Sequence, residues 1–426
     1  MIMSDSKALY IGHVLLNGEY VNVRMEHGVF TGVGRDVKPE PGDEIFHSDL
    51  MKNMAIVPPF YNMHTHAAMT LLRGYADDME LFTWLNEHIW PFEAKMTADD
   101  IRIGSELAVL EMIKSGTVFF NDMYWNTEET WKVLDRMGIR GCMGVTLIDN
   151  IGEERIEASF DVFEKYVGRS SRILMSLAPH AVYTVGEKLW IRAVEAVRKH
   201  HAFCHFHLSE TKKEVHDCVK EHGLSPVRWL DKLGVLGPDC IAAHVVHVDA
   251  EELAIMKERG VTIAHNPISN MKLSSGFFRT KMVIDSGCRV TIGTDGCSSN
   301  NNLDMREEVK CASMIAKCNY GPEILPVDMA VDWATKNGAE AFGINGGEIK
   351  VGKVADALLI DLDNERFVPC YNFNSNLVNA SSNEAFNTLI CDGKIVMKDR
   401  KVKDEERIIA EAKECCKKWM KQPGIV

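Results

Sequence analysis

The stretch Val57-Pro58-Pro59-Phe60-Tyr61-Asn62-Met63-His64-Thr65-His66 contains the pattern that decides the fold of this chain. An apolar run, typical of a buried strand, ends in a His-x-His pair. Side chains two positions apart in an extended backbone point to the same side. His64 and His66 therefore present two imidazoles together at a strand end. Because such a pair alone is often structural, the pattern predicts half of a metal site that needs further ligands.

Two later stretches offer those ligands at equivalent places. His207 and Glu210 follow the apolar run 202–206, and Asp295 follows the apolar run 289–293. A Thr-Asp-Gly sequence alone is usually a turn. Here, however, each group stands where an apolar strand gives way to a loop. Imidazole and carboxylate ligands suit zinc as the first choice and iron as the second.

Composition narrows the class of protein. The chain has 426 residues, 46% hydrophobic and 26% charged, with a net charge of −13. This acidic balance argues against nucleic acid as a partner. The twelve cysteines form no Cys-x-x-Cys pair, which is typical of reduced thiols in the cytoplasm. The N-terminal sequence lacks a secretory apolar core, and no apolar run reaches the roughly 20 residues of a membrane span. We therefore expect a cytoplasmic protein without a membrane partner.

The middle of the chain alternates apolar strands with helical segments. Residues 97–114 are the clearest helix, since Thr97 and Asp100 form a capping-box pattern and Gly116 follows the end. Eight strand–helix units over this length predict an α/β fold, a (β/α)8 TIM barrel. The eight predicted strands are 56–61, 117–122, 140–147, 173–178, 202–206, 240–246, 261–264 and 289–293.

Both ends of the chain are rich in short strands. Hairpin signals occur at Asn17-Gly18 and at Asp392-Gly393. Neither end is long enough to bury a core alone. We therefore predict that residues 1–55 and 346–403 form one composite β-sandwich domain beside a catalytic barrel of residues 56–345. Residues 404–426 are predicted as a C-terminal helix on the surface.

Polar groups recur at the carboxyl ends of the predicted barrel strands, where TIM-barrel enzymes carry their reactive residues. Six of the sixteen histidines stand there. The candidate groups are His64, His66, Asp122, His180, His207, Glu210, His244, His265 and Asp295. His205, deeper in its strand, is predicted to support the site from the barrel core.

This constellation resembles the amidohydrolase superfamily, whose deaminases carry His-x-His on strand one, His on strands five and six and Asp on strand eight. The resemblance extends over nearly the whole chain, through residues 59–74, 84–91, 265–270, 293–300 and 352–357. Together these motifs are similar to the branch of 5′-methylthioadenosine/S-adenosylhomocysteine deaminases. Many binuclear relatives bridge two metals through a Lys on strand four, but residues 174–181 contain none. That departure favours a single metal.

The resemblance implies a role for each group. One divalent ion, zinc before iron, would be held by the ligands His64, His66, His207 and Asp295, with a water in the open position. Asp295 would also accept a proton from that water, and His244 would orient it. Glu210 would carry a proton to the purine ring nitrogen and then to the leaving amine.

Substrate residues also follow from the resemblance. Glu93 matches a carboxylate that accepts hydrogen bonds from the two ribose hydroxyls, and His180 matches a residue that contacts the base. Trp84 is predicted to line an apolar wall. The branch has an Arg on strand three for the amino-acid carboxylate, but Val145 stands there in this chain. A second Arg of the branch corresponds to Arg155, across a length change in the sequence.

The resemblance thus predicts a metal-dependent aminohydrolase that converts an adenine nucleoside to the inosine analogue plus ammonia. The candidate substrates are 5′-methylthioadenosine, S-adenosylhomocysteine, adenosine and 5′-deoxyadenosine. One alternative is another hydrolase on the same scaffold, of the guanine, pterin, cytosine or chlorotriazine type, because fold alone does not fix the substrate. A second is a catalytically inactive binding protein, which the complete set of ligands disfavours. The expected partner is a small-molecule nucleoside, and a homo-oligomer is left open.

Overall fold

A computed structural model describes residues 7–46 and 53–420. Residues 1–6, for which the sequence predicted no secretory apolar core, lie outside the described residues. Residues 421–426, at the end of the predicted helix 404–426, also lie outside them. Seventeen strands occur in the described residues: β1 (Leu9–Leu16), β2 (Glu19–Glu26), β3 (Val29–Gly34), β4 (Glu44–Phe46), β5 (Met54–Val57), β6 (Phe60–Thr65), β7 (Thr117–Tyr124), β8 (Arg140–Leu147), β9 (Ile173–Pro179), β10 (Phe203–Leu208), β11 (Cys240–His244), β12 (Thr262–His265), β13 (Arg289–Ile292), β14 (Ala357–Asp361), β15 (Phe386–Cys391), β16 (Lys394–Lys398) and β17 (Lys401–Val402).

Helices fill most of the connections between the barrel strands. The α-helices are α1 (Leu81–Thr83), α2 (Trp90–Glu93), α3 (Ala98–Lys114), α4 (Thr127–Met137), α5 (Glu153–Tyr166), α6 (Glu187–Lys199), α7 (Lys212–His222), α8 (Pro226–Lys232), α9 (Ala250–Arg259), α10 (Pro267–Lys272), α11 (Thr280–Ser286), α12 (Cys297–Asn300), α13 (Met305–Tyr320), α14 (Val327–Ala334), α15 (Lys336–Ala341), α16 (Phe373–Ser375) and α17 (Glu405–Met420). Short 3-10 turns occur at Ala67–Leu72, Asp149–Ile151, Glu365–Phe367 and Asn383–Ala385, and π-helical turns at Trp84–Ile89 and Asn376–Ala380.

Strands β6 to β13 form a parallel eight-stranded sheet in sequence order. The Asp295 backbone N–H donates to the His64 carbonyl at 2.9 Å, which joins the segment after the last strand to the first strand. Every residue of β7 and of β8 is buried, as expected for strands covered by helices on one face and by the barrel interior on the other. The predicted TIM barrel is confirmed, and its strand ends converge on one mouth.

The terminal strands form a separate nine-stranded sheet in the order β17-β16-β15-β14-β5-β1-β2-β3, with β4 beside β1. The two ends of the chain meet where β14 pairs with β5, with Ile360 opposite Ala55. The first hairpin turns at Asn17 and Gly18, whose φ angles of 50° and 85° suit the predicted Asn-Gly turn. The predicted β domain of both termini is therefore present, whereas the domain limits at residues 55/56 and 345/346 remain a prediction.

The first predicted strand, 56–61, is divided in the structure. β5 ends at Val57 and belongs to the terminal sheet, while β6 begins at Phe60 and belongs to the barrel. Pro58 and Pro59 separate the two strands. Because proline lacks an N–H to donate to a ladder, the pair interrupts hydrogen bonding at this point. The chain uses the break to pass from one sheet to the other.

Two helical elements beyond the barrel strands shape the site. Residues 81–93, here called the wall segment, comprise α1, the π-helical turn Trp84–Ile89 and α2. The helix α17 packs against α3 and buries Ile408, Ala412, Cys415 and Trp419. The predicted capping box of α3 is present, since Thr97 Oγ1 accepts from the Asp100 N–H and the Asp100 carboxylate accepts from the Thr97 N–H. In the described chain no helix combines the length and the apolar character that crossing a membrane requires.

Candidate active site

The predicted ligands lie together at the mouth of the barrel. His64 is on β6 and His66 directly follows it, His207 is on β10, and Asp295 follows β13. His66 Nε2 is 3.2 Å from Asp295 Oδ1 and 3.3 Å from His207 Nε2, and His64 Nε2 is 3.3 Å from Asp295 Oδ1. Three stretches that are distant in sequence thus direct four predicted ligand groups to one point.

The hydrogen bonds behind the three imidazoles fix which nitrogen faces that point. His66 Nδ1 donates to the Met123 carbonyl at 2.7 Å, and His207 Nδ1 donates to the His180 carbonyl at 2.8 Å. Since a carbonyl oxygen only accepts, both Nδ1 atoms carry the hydrogen in the neutral imidazoles. Their Nε2 atoms are left with lone pairs directed into the site.

His64 is oriented in the same way through a second histidine. His205 Nδ1 lies 3.3 Å from the Asp122 carbonyl and donates to it, so His205 Nε2 accepts from His64 Nδ1 at 2.9 Å. His64 Nε2 is buried and has no hydrogen-bond partner among the described residues. His205 therefore holds a supporting place behind the ligand, as the sequence predicted.

These lone pairs make the site suitable for a cation. Unprotonated His64 Nε2 faces a carboxylate oxygen, and the Nε2 atoms of His66 and His207 face each other. Such contacts repel unless a positive charge lies between the atoms. Two groups in the described chain have the composition and spacing of a metal site, His64–His66–His207 and His64–His244–Asp295, and both contain His64. The residues therefore fit one divalent metal with nitrogen and oxygen ligands.

The charge states agree with competition between a proton and a metal. Burial lowers the pKa of His64 to about 4. Burial also lowers the pKa of His66, but the hydrogen bond and charge of Asp295 outweigh it and raise the value to about 9. Burial opposes ionisation of Asp295, yet the contacts with His64 and His66 hold its pKa well below the usual value. A bound metal would replace the proton that His66 shares with Asp295.

Glu210 lies beside this cluster and is held from two sides. Its Oε1 accepts from Ser275 Oγ at 2.8 Å, and its backbone N–H donates to Glu214 Oε2 at 2.7 Å. Its Oε2 is 3.7 Å from His244 Nε2. Burial raises the pKa of the Glu210 carboxyl, which is the direction that a carboxyl acting as a general acid requires.

His244 faces both carboxylates. Its Nε2 is 3.9 Å from Asp295 Oδ2, and its Nδ1 donates to Asn270 Oδ1 at 2.7 Å. Ser269 Oγ donates to Asp295 Oδ2 at 2.7 Å. Both polar partners belong to α10, so this helix orients His244 and Asp295 together.

The backbone at the mouth is strained. His244, Val245, Ser209 and Asp295 have φ angles of 73°, 49°, 50° and 62°. Left-handed conformations of residues other than glycine cost on the order of 1–3 kcal/mol each, and such residues concentrate at functional sites. Two of these strained residues, His244 and Asp295, direct their side chains into the site.

Two other strand-end candidates, Asp122 and His265, do not line either of the two cavities described below. Asp122 accepts from Thr65 Oγ1 at 3.0 Å and from the Ala67 N–H at 2.8 Å, and burial raises its pKa to about 6. It supports the turn that carries His66. His265 stacks on Phe278 with ring centroids 4.0 Å apart.

An inner cavity of about 60 Å³ opens over the predicted metal ligands. Its walls include the predicted residues Trp84, Glu93 and His180. Thr184 Oγ1 donates to the Ala181 carbonyl at 3.2 Å, so His180 Nδ1 donates to Thr184 Oγ1 at 3.0 Å and leaves His180 Nε2 for a ligand. Burial, together with the neighbouring imidazoles, lowers the pKa of His180 to about 3 and keeps it neutral.

An outer cavity of about 630 Å³ adjoins the inner one and shares Trp90, Glu93 and Thr146 with it. Val145 and Arg155 both line this outer cavity. Arg155 is therefore placed beside the space that continues past Glu93, despite the length change that surrounds it in the sequence.

Several contributors were not predicted from the sequence. They are the wall residues Trp90, Tyr124, Trp125, Tyr183 and Leu273, and the polar supports Glu214, Ser269, Asn270 and Ser275. Asn270 and Ser269 lie in the motif 265–270, and their small polar side chains next to a strand end were the available signal. Ser275 carries no comparable signal, since it reaches Glu210 from 65 positions away, whereas Glu214 accepts from the nearby Ser209 and Glu210 N–H groups.

The amidohydrolase family profile matches residues 55–396. The chain belongs to the amidohydrolase family. It is 40% identical over 407 residues to a 5′-deoxyadenosine deaminase of Methanosarcina acetivorans, covering 94% of this chain and 93% of that protein. It is 41% identical over 387 residues to a 5-methylthioadenosine/S-adenosylhomocysteine deaminase of Syntrophomonas wolfei, covering 89% and 90%.

A solved structure has the same overall fold as this amidohydrolase. The crystal structure of an adenosine deaminase from Xanthomonas campestris with bound zinc superimposes with a TM-score of 0.89 at 30% identity. The superposition covers 96% of this chain and 98% of that one. The predicted superfamily and the predicted fold class are thereby confirmed.

Proposed function

We propose that this amidohydrolase deaminates adenine nucleosides by hydrolysis, giving the inosine analogue and ammonia. The observation that carries the proposal is one cavity that joins a metal-binding cluster, the buried acid Glu210 and the carboxylate Glu93. The relatives named above act on adenine nucleosides, which supports the same substrate class for this chain. We further propose a cytoplasmic location, the compartment that the cysteine usage predicts.

His64, His66, His207 and Asp295 would hold one divalent ion. Zinc is the first choice because three imidazoles and a carboxylate suit it, and iron is the second. The ion would lower the pKa of water so that a nucleophile is available near neutral pH. The zinc in the similar adenosine deaminase from Xanthomonas campestris supports this choice.

The protein groups move the protons of the reaction. Asp295 takes a proton from the attacking water, and His244 orients that water through Nε2. Glu210 gives a proton to the purine ring nitrogen N1 as water adds to C6, then receives the water proton from Asp295 and gives it to the leaving amine. The C6–N bond breaks with release of ammonia, and the C6 hydroxyl returns its proton to Glu210 as the carbonyl forms, so one water is consumed for each nucleoside.

Substrate recognition is assigned to the wall side of the cavity. Glu93 accepts hydrogen bonds from the ribose diol, which suits two adjacent hydroxyls. His180 Nε2 contacts the base, and Trp84 lines the apolar wall. The outer cavity takes the 5′ group, where Val145 supplies no charge and Arg155 is the cation that lines the space.

Ammonia release from a panel of nucleosides tests the proposal. We expect kcat/KM for adenosine, 5′-deoxyadenosine or 5′-methylthioadenosine to equal or exceed that for S-adenosylhomocysteine. A missing charge-assisted hydrogen bond to the amino-acid carboxylate costs about 1.5–3 kcal/mol, or roughly 10- to 100-fold. Guanine and a pterin are the matched alternatives. Turnover of either, with no activity on the four adenine nucleosides, would contradict the proposal.

A further inference from the structure

The wall segment brings Glu93 to the cavity, where one of its two carboxylate oxygens has no hydrogen-bond partner in the described residues. Glu93 Oε1 is buried and lacks a hydrogen-bond partner within the described chain, as does Trp84 Nε1. Burial raises the pKa of the Glu93 carboxyl, and side-chain contacts with Tyr124 and Trp125 oppose that shift. The direction of the carboxylate therefore depends on the contacts with Tyr124 and Trp125 and on how its neighbours in α2 are packed.

Phe92, the residue before Glu93, supplies that packing. Its side chain is buried, and its ring contacts two aromatic rings. The Tyr75 ring centroid is 4.9 Å away, and the Trp419 ring centroid is 4.4 Å away at an interplanar angle of 33°. Trp419 belongs to α17, so an element more than 300 residues away in sequence contacts the wall segment next to Glu93.

The helix α17 is fastened independently of the wall segment. Lys418 Nζ donates to both oxygens of Asp100 at 2.8 and 2.7 Å, and Arg407 donates to Glu106 at 3.0 Å. These acceptors lie on α3. Trp419 itself is 3% exposed and joins the apolar cluster of the wall segment, which includes Trp84, Leu85 and Phe92. The helix therefore presents Trp419 as a fixed surface to Phe92.

We propose that Trp419 is a positioning residue that holds Glu93 in the direction needed for the ribose diol, by packing its indole against Phe92. The assignment rests on the proposed function, because it uses the contact between Glu93 and the diol. Loss of the indole leaves space behind Phe92 and lets α2 turn. A shift of about 1 Å in a substrate-positioning group is enough to cost on the order of 10²-fold.

The test compares adenosine with 2′-deoxyadenosine, which lacks one hydroxyl of the diol. The wild-type protein should prefer adenosine in kcat/KM by roughly 10- to 100-fold, the usual worth of a charge-assisted hydrogen bond. In Trp419→Ala we expect the preference to fall to about threefold or less, mainly through a higher KM for adenosine. Trp419→Phe keeps a ring against Phe92 and should keep most of the preference.

Two further variants serve as a negative and a positive control for the loss of the adenosine preference. Lys417→Ala changes an exposed residue of α17 that contacts Glu414 and should leave the preference at the wild-type value. Glu93→Gln should abolish the preference directly. Thermal unfolding and metal content are measured for every variant, so that a loosened fold is recognised by a lower Tm or lost metal.

The preference for adenosine decides the inference. It is supported if folded, metal-loaded Trp419→Ala loses the preference as Glu93→Gln does. It is overturned if Trp419→Ala retains the preference, or loses activity equally on both nucleosides, while Glu93→Gln abolishes the preference. If wild-type protein deaminates neither nucleoside, the proposed function itself fails.

Discussion

The proposed metal ligands and the wall segment line the same cavity but are held in different ways. His66 and His207 each donate to a backbone carbonyl on or just beyond a neighbouring barrel strand. Glu93 Oε1 and Trp84 Nε1, in contrast, have no such partner in the described residues. Hydrogen bonds to the barrel backbone fix the proposed ligands, whereas the position of the proposed substrate residues depends more on side-chain packing.

The largest effect should come from breaking the ligand set. Asp295→Asn keeps the shape of the side chain but removes the charge and the proton acceptor. We expect kcat to fall by roughly 10⁴-fold or more, since metal binding and proton transfer are both impaired. Steady-state ammonia release and elemental analysis measure the two losses. His216→Ala, at an exposed histidine of α7, should retain wild-type activity and metal content. Near-normal activity in Asp295→Asn would remove Asp295 from the mechanism.

Glu210→Gln should have the next largest effect. The amide cannot carry the proton to the ring nitrogen, so kcat should fall by roughly 10²–10⁴-fold. The metal should stay bound, because Glu210 is not among the proposed ligands. Elemental analysis beside single-turnover rates distinguishes the two roles. Glu221→Gln, an exposed carboxylate of α7, is the matched control. Loss of the metal in Glu210→Gln would mean that the ligand and acid roles are misassigned.

A smaller effect should follow a change in the outer cavity. Val145→Arg introduces a cation beside the space that Arg155 also lines. We expect the ratio of kcat/KM for S-adenosylhomocysteine to that for 5′-deoxyadenosine to rise by about tenfold, because only the former carries a carboxylate. Val145→Met tests length without charge and should leave the ratio nearly unchanged. An equal change in both variants would show that size, not charge, governs this cavity.

The barrel was predictable because its strands carry strong apolar patterns. The strand 140–147 agrees with β8 at both ends, and Thr97 with Asp100 located the start of α3. The first strand was less accurate: residues 56–61 were predicted as one strand, although Pro58 and Pro59 forbid a continuous ladder. The patterns thus identified the elements but not the passage between the two sheets.

The candidate site also contains residues that local patterns predict and residues that they do not. The ligands and Glu210 follow strand ends, where local sequence and barrel geometry together give their direction. Ser275 reaches Glu210 across 65 positions of sequence, and Trp419 reaches Phe92 across an even larger separation. Such contacts depend on how loops and helices dock, and no local pattern encodes them. The wall segment was therefore predicted only through the resemblance.

The most direct test of the central claim is a titration of metal-free protein with zinc, followed by the rate of adenosine deamination. All proposed ligands converge on one point, and the candidate metal groups in residues 7–46 and 53–420 share His64. We predict no activity without metal and a linear rise that ends at about one equivalent per chain. A break at two equivalents, or deamination by the metal-free protein, would contradict a single metal centre as the origin of the activity.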